Sequence, residues 1–223
     1  MKIGRPEDFF DKQNVRLNLI KRAVAQYQFS AIELKKRFVH KIDGHTSFFL
    51  KGFGNEVNLL SAFRELFFNS RELLDLLLIK ISDMTNGTKH QTPRSFLPFA
   101  KKLMLGEFDY TNLTIIKFLK TNINYIFHIR KIRNEIKNNP ANIEFVFNTN
   151  RFEARLRVPI NKDEIDLIEY LDINNKDQAI KNMSYSCTYY LDEIFPEMLK
   201  FWELTFSMLQ SDLNQQNNQK SHP

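Results

Sequence analysis

The chain has 223 residues and 26.5 kDa, long enough for one domain with a substantial core and short for two. Its 6 Gly and 7 Pro are too few for the many turns of an all-β sandwich, and its one cysteine excludes both an intrachain disulfide and a Cys-based zinc site. The net charge of +6 is uneven: residues 1–150 carry 24 Lys+Arg against 14 Asp+Glu, and residues 151–223 carry 8 against 12, an asymmetry that fits a polyanion partner or simply a Lys-, Asn- and Ile-rich proteome.

Hydrophobic residues at 43% and charged residues at 26% are ordinary for a soluble globular protein, while the 21 Phe point to a core filled with rings and to an apolar self-association surface. The opening MKIGRPEDFFDK holds no apolar run of signal-peptide length, and no stretch reaches a membrane span, which predicts a cytoplasmic chain with no membrane partner.

Leu17, Ile20, Val24, Tyr27, Ala31, Leu34 and Phe38 recur at steps of three and four, one narrow stripe on a helix over about residues 14–42, stopped by Asp43-Gly44. Residues 45–54 read as a connector. The next helix, about 55–86, is apolar on more than one side and should be central; on it Arg71 and Asp75 stand four apart and pair on one face. Asn86-Gly87 fits its cap. Residues 88–98 read as a basic loop with Lys89, His90 and Arg94, and 99–105 as a short helix ended by Gly106. A long helix, capped by Asp109 or Thr111, then runs to about Asn138, where Pro140 forbids continuation.

Residues 143–147 and 151–158 alternate apolar and polar side chains across Asn148-Thr149-Asn150, the pattern of a β-hairpin, which must pack its apolar face on helices. Residues 163–173 fit either a short acidic helix or a third strand, the helix being the preferred reading. A last helical region, about 177–213, takes in Cys187 as a small core residue and is kinked or split by Pro196; residues 214–223 read as a polar disordered tail. The predicted fold class is mainly α, a bundle of long helices with an inserted β-hairpin, in one domain over residues 1–213.

The stretch that reads as more than scaffold is the end of the helix before Pro140. Ile115, Leu119, Ile126, Ile129 and Ile136 mark its buried stripe, and Asn122 and Arg133 interrupt it. A solvated arginine has no reason to lie between Ile129 and Ile136, so Arg133 needs a partner or an interface there. Asn134 and Asn138 share a face, and Arg130, Lys131 and Lys137 add cations suited to phosphate, although a basic C-terminal half also complements a helix dipole.

These residues resemble the HEPN superfamily, whose motif is an arginine, a polar residue such as asparagine, four to six residues, then a histidine. Arg133 falls on the arginine and Asn134 on the polar residue; Asn138 stands where the histidine is expected. The resemblance, carried mainly by residues 55–140, implies a homodimer with the motifs meeting at its interface, and a metal-independent endoribonuclease of toxin–antitoxin or phage-defence systems, many members of which only bind. Asparagine does not titrate and cannot replace histidine as a proton acceptor. His128, ten residues earlier and about 15 Å along the helix, cannot do so within one subunit.

The expected function is therefore a HEPN-like dimer binding RNA or a nucleotide through Arg133, Asn134 and Asn138, with Arg130, Lys131 and Lys137 contacting nucleic acid, Arg71 and Asp75 in support, weak or absent ribonuclease activity, and no metal or cofactor. The alternative is a non-enzymatic helical module that binds a protein partner or oligomerises. The two part at Arg133: pairing with Asp75 or Glu72 inside one chain would make it structural.

Overall fold

The computed structural model describes residues 6–38, 48–49, 54–87, 91–109, 111–139, 143–148 and 151–220. Helix α1 (Pro6–Phe38) buries Ile20, Val24, Tyr27, Ala31 and Leu34, the predicted stripe, and starts earlier than its apolar pattern does. Its cross-contacts with α2 (Gly54–Met84) run Gln26 to Asn58, Arg22 to Glu65 and Arg16 to Asn69, so the two helices are antiparallel. The cap proposed at Asp43-Gly44 lies outside the described residues.

Helix α2 is central, as its all-round apolarity predicts. Leu59, Ala62, Phe63, Leu66, Phe67, Leu73, Leu74, Leu77, Leu78 and Ile81 are all buried. Each large side chain removed from water contributes about 1.5–3 kcal/mol. Gly87, at φ 77, follows the helix end. Lys89 and His90 of the predicted basic loop lie outside the described residues; Arg94 is held by Asp83 at 2.6 Å. Helix α3 (Phe96–Met104) begins three residues before the expected start, because Pro98 falls in its first turn, where no helical N–H is needed. Gly106 then adopts φ 72, and a Cβ there would meet Asp109 Oδ2 at 2.8 Å.

The helix predicted to run unbroken to Asn138 is two: α4 (Thr114–Thr121) and α5 (Ile123–Asn138). Asn122 breaks it at φ −107 and ψ 21, with its side-chain Nδ2 and its backbone N both donating to the Phe118 carbonyl, at 2.9 and 3.1 Å. Side-chain competition of this kind is why asparagine ends helices. The cap is also not Asp109 or Thr111. The backbone amides of Thr114 and Ile115 donate to the two carboxylate oxygens of Asp212, a buried residue nearly a hundred positions away, at 3.0 and 2.8 Å.

The hairpin forms as read, from β2 (Ile143–Asn148) and β3 (Arg151–Pro159), with its turn residues 149–150 outside the described set. It grows into a four-stranded antiparallel sheet in the order β1-β2-β3-β4, through β1 (Phe48–Phe49), within the stretch read as a connector, and β4 (Ser184–Tyr190). Strand β4 corrects the expected helix over 177–213. Met183 and Cys187 fit a helical step by coincidence, whereas Tyr185, Cys187 and Tyr189 alternate with hydroxyl residues and pair with Val158, Leu156 and Ala154. Before β4 come a 3-10 turn (Lys162–Glu164), the short helix α6 (Ile165–Ile168), which is what forms of the acidic helix expected over 163–173, and α7 (Lys176–Lys181).

Helix α8 (Leu191–Lys220) passes through Pro196 without being split there and continues through most of the stretch read as a polar tail, with Gln210 bonded to Asn214 at 3.0 Å. Pro196 lies near its N-terminus, where the missing N–H costs one helical bond. The buried side chains of the described helices and sheet form one continuous cluster, and the chain is mainly α with an inserted hairpin.

Candidate functional site

Helix α5 lies between α2 and the sheet. Ile126, Ile129, Ile132 and Ile136 are buried, and the residues flanking them choose between the two neighbours. Arg133 turns to α2. Its guanidinium carbon stands 5.1 Å from the centre of the Phe68 ring, and its Nη1 donates to Asn134 Oδ1 at 3.2 Å. Stacking on an aromatic face suits the weakly hydrated guanidinium and orients it without neutralising it. Among the described residues Arg133 forms no ion pair with an acid.

The acid that could have taken it, Asp75, is bonded to Arg71. That pair is as expected from the sequence, but it is half-buried and lies within electrostatic reach of α5. Burial lowers the Arg71 pKa, Asp75 opposes that, and the positive charges of Arg130 and Arg133 lower it further. Burial likewise raises the Asp75 carboxyl, with Arg71 and Arg133 pulling it down and Glu72 pushing it up. Two arginines, Arg71 and Arg133, therefore act on the one carboxylate of Asp75, and Arg130 lies within electrostatic reach of Arg71. Such a cluster has spare capacity for an anion with several oxygens.

Two expected phosphate contacts are committed inward instead. Lys131 is only 4% exposed, and its Nζ donates to Glu164 Oε2 at 2.6 Å; Arg130 donates to the other oxygen of Glu164, at 2.5 Å, and lies over the Phe96 ring. Glu164 closes a capping box with Asn161 and is itself buried. Burial would raise its carboxyl, but Lys131, the Asn161 amide and Arg130 together hold it below the usual carboxylate range. Lys131 is thus a core ion-pair residue, not a surface contact. Lys137 and Asn138 are exposed at the end of α5, one turn beyond Arg133 and Asn134.

His128 faces the sheet. Its Nδ1 lies 2.6 Å from the Tyr189 hydroxyl, and its ring packs on Tyr185 and Tyr189. Burial lowers its pKa to about 4, with Asp172 pulling the other way, so near neutrality it is an uncharged packing residue. Burial also pushes the Cys187 thiol up to about 11, far from a reactive thiolate.

Neither family models, nor curated proteins, nor solved structures give a match to this chain. The site is therefore defined by its own geometry: Arg133 and Asn134 from α5, Phe68, Arg71 and Asp75 from α2, and the exposed Lys137 and Asn138. Phe68 was missed in the sequence, although its spacing to Arg71 and Asp75 puts all three on one face of α2. Glu164 was missed as well; the Asn161-Lys-Asp-Glu164 run carried the capping-box signature that marks it. Among the described residues, no three His, Cys, Asp or Glu are grouped to hold a metal ion, and no helix is long and apolar enough to cross a membrane.

Proposed function

We propose that the chain binds RNA or a nucleotide at the junction of α2 and α5, as a HEPN-like homodimer with weak or no ribonuclease activity. The observation that carries this reading is Arg133: a half-buried guanidinium, oriented by Phe68 and Asn134, with no acid paired to it among the described residues. Phosphate oxygens are the natural complement of such a group, and Arg71 and Lys137 stand near enough to share the charge. Binding rather than cleavage is favoured because Asn138 has no titrating proton and His128 is neutral and turned to the sheet.

The test is fluorescence anisotropy with labelled mixed-sequence single-stranded RNA, for the natural chain and for Arg133→Ala. Salt-dependent binding that weakens by about tenfold in the variant, equivalent to about 1.4 kcal/mol, is expected. Absence of salt-dependent binding in both excludes the RNA reading and leaves the protein-binding module, which the exposed Phe29 and Ile32 of α1 favour. Gel analysis of the same RNA should show little cleavage, and a gain on Asn138→His would mark a decayed catalytic position. Sedimentation velocity tests the dimer; a monomer at all concentrations removes it from the reading.

A further inference from the structure

Beside the Arg133 site runs a groove of about 540 Å³ between α1 and α2. Leu19, Leu60 and Phe68, all half-buried, give it an apolar lining, and Arg16, Arg22 and Arg64 give it cations. Phe68 belongs to both places: it lines the groove and also carries the guanidinium of Arg133. The groove is thus continuous with the site. Two of its arginines are already engaged, Arg22 with Glu65 at 2.7 Å, and Arg16 with Asn69 at 3.2 Å and Glu72 at 3.8 Å. Arg64 is exposed and meets no acid among the described residues. On α2, Arg64, Phe68 and Arg71 follow at steps of four and three, about 6 and 10 Å along the axis from Arg64. Cations and a ring alternate along one line, with apolar surface between them.

We infer that this groove is the track for a single strand of RNA, several nucleotides long, whose phosphates run from Arg133 past Arg71 to Arg64 and whose bases lie on Phe68, Leu60 and Leu19. The inference rests on the RNA reading of the Arg133 site and narrows it, from a nucleotide to an oligonucleotide. An arginine alone would accept any anion. The apolar surface between the arginines is what selects a ligand that alternates phosphates with flat rings, as single-stranded nucleic acid does. A strand is preferred to a duplex because the bases must leave their stack to reach that surface.

The experiment measures affinity of the full chain for labelled oligouridylates and oligoadenylates of increasing length, at several salt concentrations, for the natural protein, Arg64→Glu and Arg133→Ala. Arg64 is exposed, so its replacement leaves the fold intact, which circular dichroism verifies. Affinity should rise with length beyond a dinucleotide. Arg64→Glu should remove that gain, about tenfold, and reduce the salt slope by about 0.7, while leaving dinucleotide affinity unchanged. Arg133→Ala should weaken every length. If Arg64→Glu binds long RNA as tightly as the natural protein while Arg133→Ala does not, the groove inference is overturned and the site reading stands. If RNA of no length binds, both fall. Displacement of the RNA by a polyglutamate of equal charge would also overturn the track, since charge alone would then account for binding.

Discussion

His128 is held neutral by its surroundings, which gives it a defined signature in the pH dependence of stability. Its pKa falls from 6.5 to about 4 on folding, because burial between Tyr185 and Tyr189 disfavours the charged ring more than Asp172 favours it. Above pH 6.5 it is uncharged in both states and contributes no slope. Between 6.5 and about 4 the unfolded chain takes up a proton that the folded chain refuses, so stability is lost as pH falls through that window. The loss is on the order of 3 kcal/mol. Urea denaturation of the natural chain and of His128→Gln, which keeps an acceptor for the Tyr189 hydroxyl, should give a difference curve that narrows from pH 6.5 to 4. A constant difference would show that the histidine is solvated and charged in the folded state. At this scale the sequence was legible where a residue violated its pattern. Arg133 on an apolar stripe demanded a partner, and the structure supplies Phe68. Lys131 violated nothing. On a helical wheel it is one of several cations, and only Glu164, thirty-three residues on and brought back by the fold, turns it inward.

Among the elements, periodicity identified what was long and regular. The stripe of α1, the apolar girth of α2 and the alternation of β2 and β3 were each readable because the pattern extends over several repeats. Strand β4 was not, since Ile180, Met183, Cys187 and Tyr190 lie at helical intervals across a segment that is part turn and part strand. Nor could local signals reveal the cap of α4, which comes from the far end of the chain. Asp212 is buried on α8 and accepts from the Thr114 and Ile115 amides, tying the last long helix to the start of α4. Asp212→Ala removes that acceptor and leaves the buried Ile115 amide and the partly buried Thr114 amide without it. It should destabilise the protein by about 2 kcal/mol, at the upper end for a cap because the site is buried. Asp212→Asn, which retains one acceptor oxygen, should recover roughly half. Equal stability of the alanine variant and the natural chain in urea would mean that solvent satisfies those amides.

For the whole molecule, the fold redistributes the charge asymmetry seen in the sequence. Acids of the C-terminal third fold back onto the basic N-terminal helix: Asp192 holds Lys35 at 3.2 Å and also accepts from Tyr27, and Glu203 stands 3.6 Å from Lys21. The excess of lysine on α1 is therefore partly answered within the chain. What is not answered gathers on the face made by α1, α2 and α5, where, among the described residues, the acids paired with Arg16, Arg22, Arg64, Arg71 and Arg133 are Glu65, Glu72 and Asp75. A diffuse positive surface and a localised one predict different salt behaviour. If binding of single-stranded RNA draws on Arg64, Arg71 and Arg133 alone, each contact releases about 0.7 of a counterion, and a plot of log affinity against log salt should have a slope near −2. Binding spread over the whole basic surface would give a far steeper slope. Neutralising lysines remote from the face, as in Lys101→Gln with Lys102→Gln, should leave both affinity and slope unchanged. A slope that falls with those substitutions as much as with Arg133→Ala would show that RNA meets the protein through its overall charge, and the α2–α5 junction would lose its standing as a site.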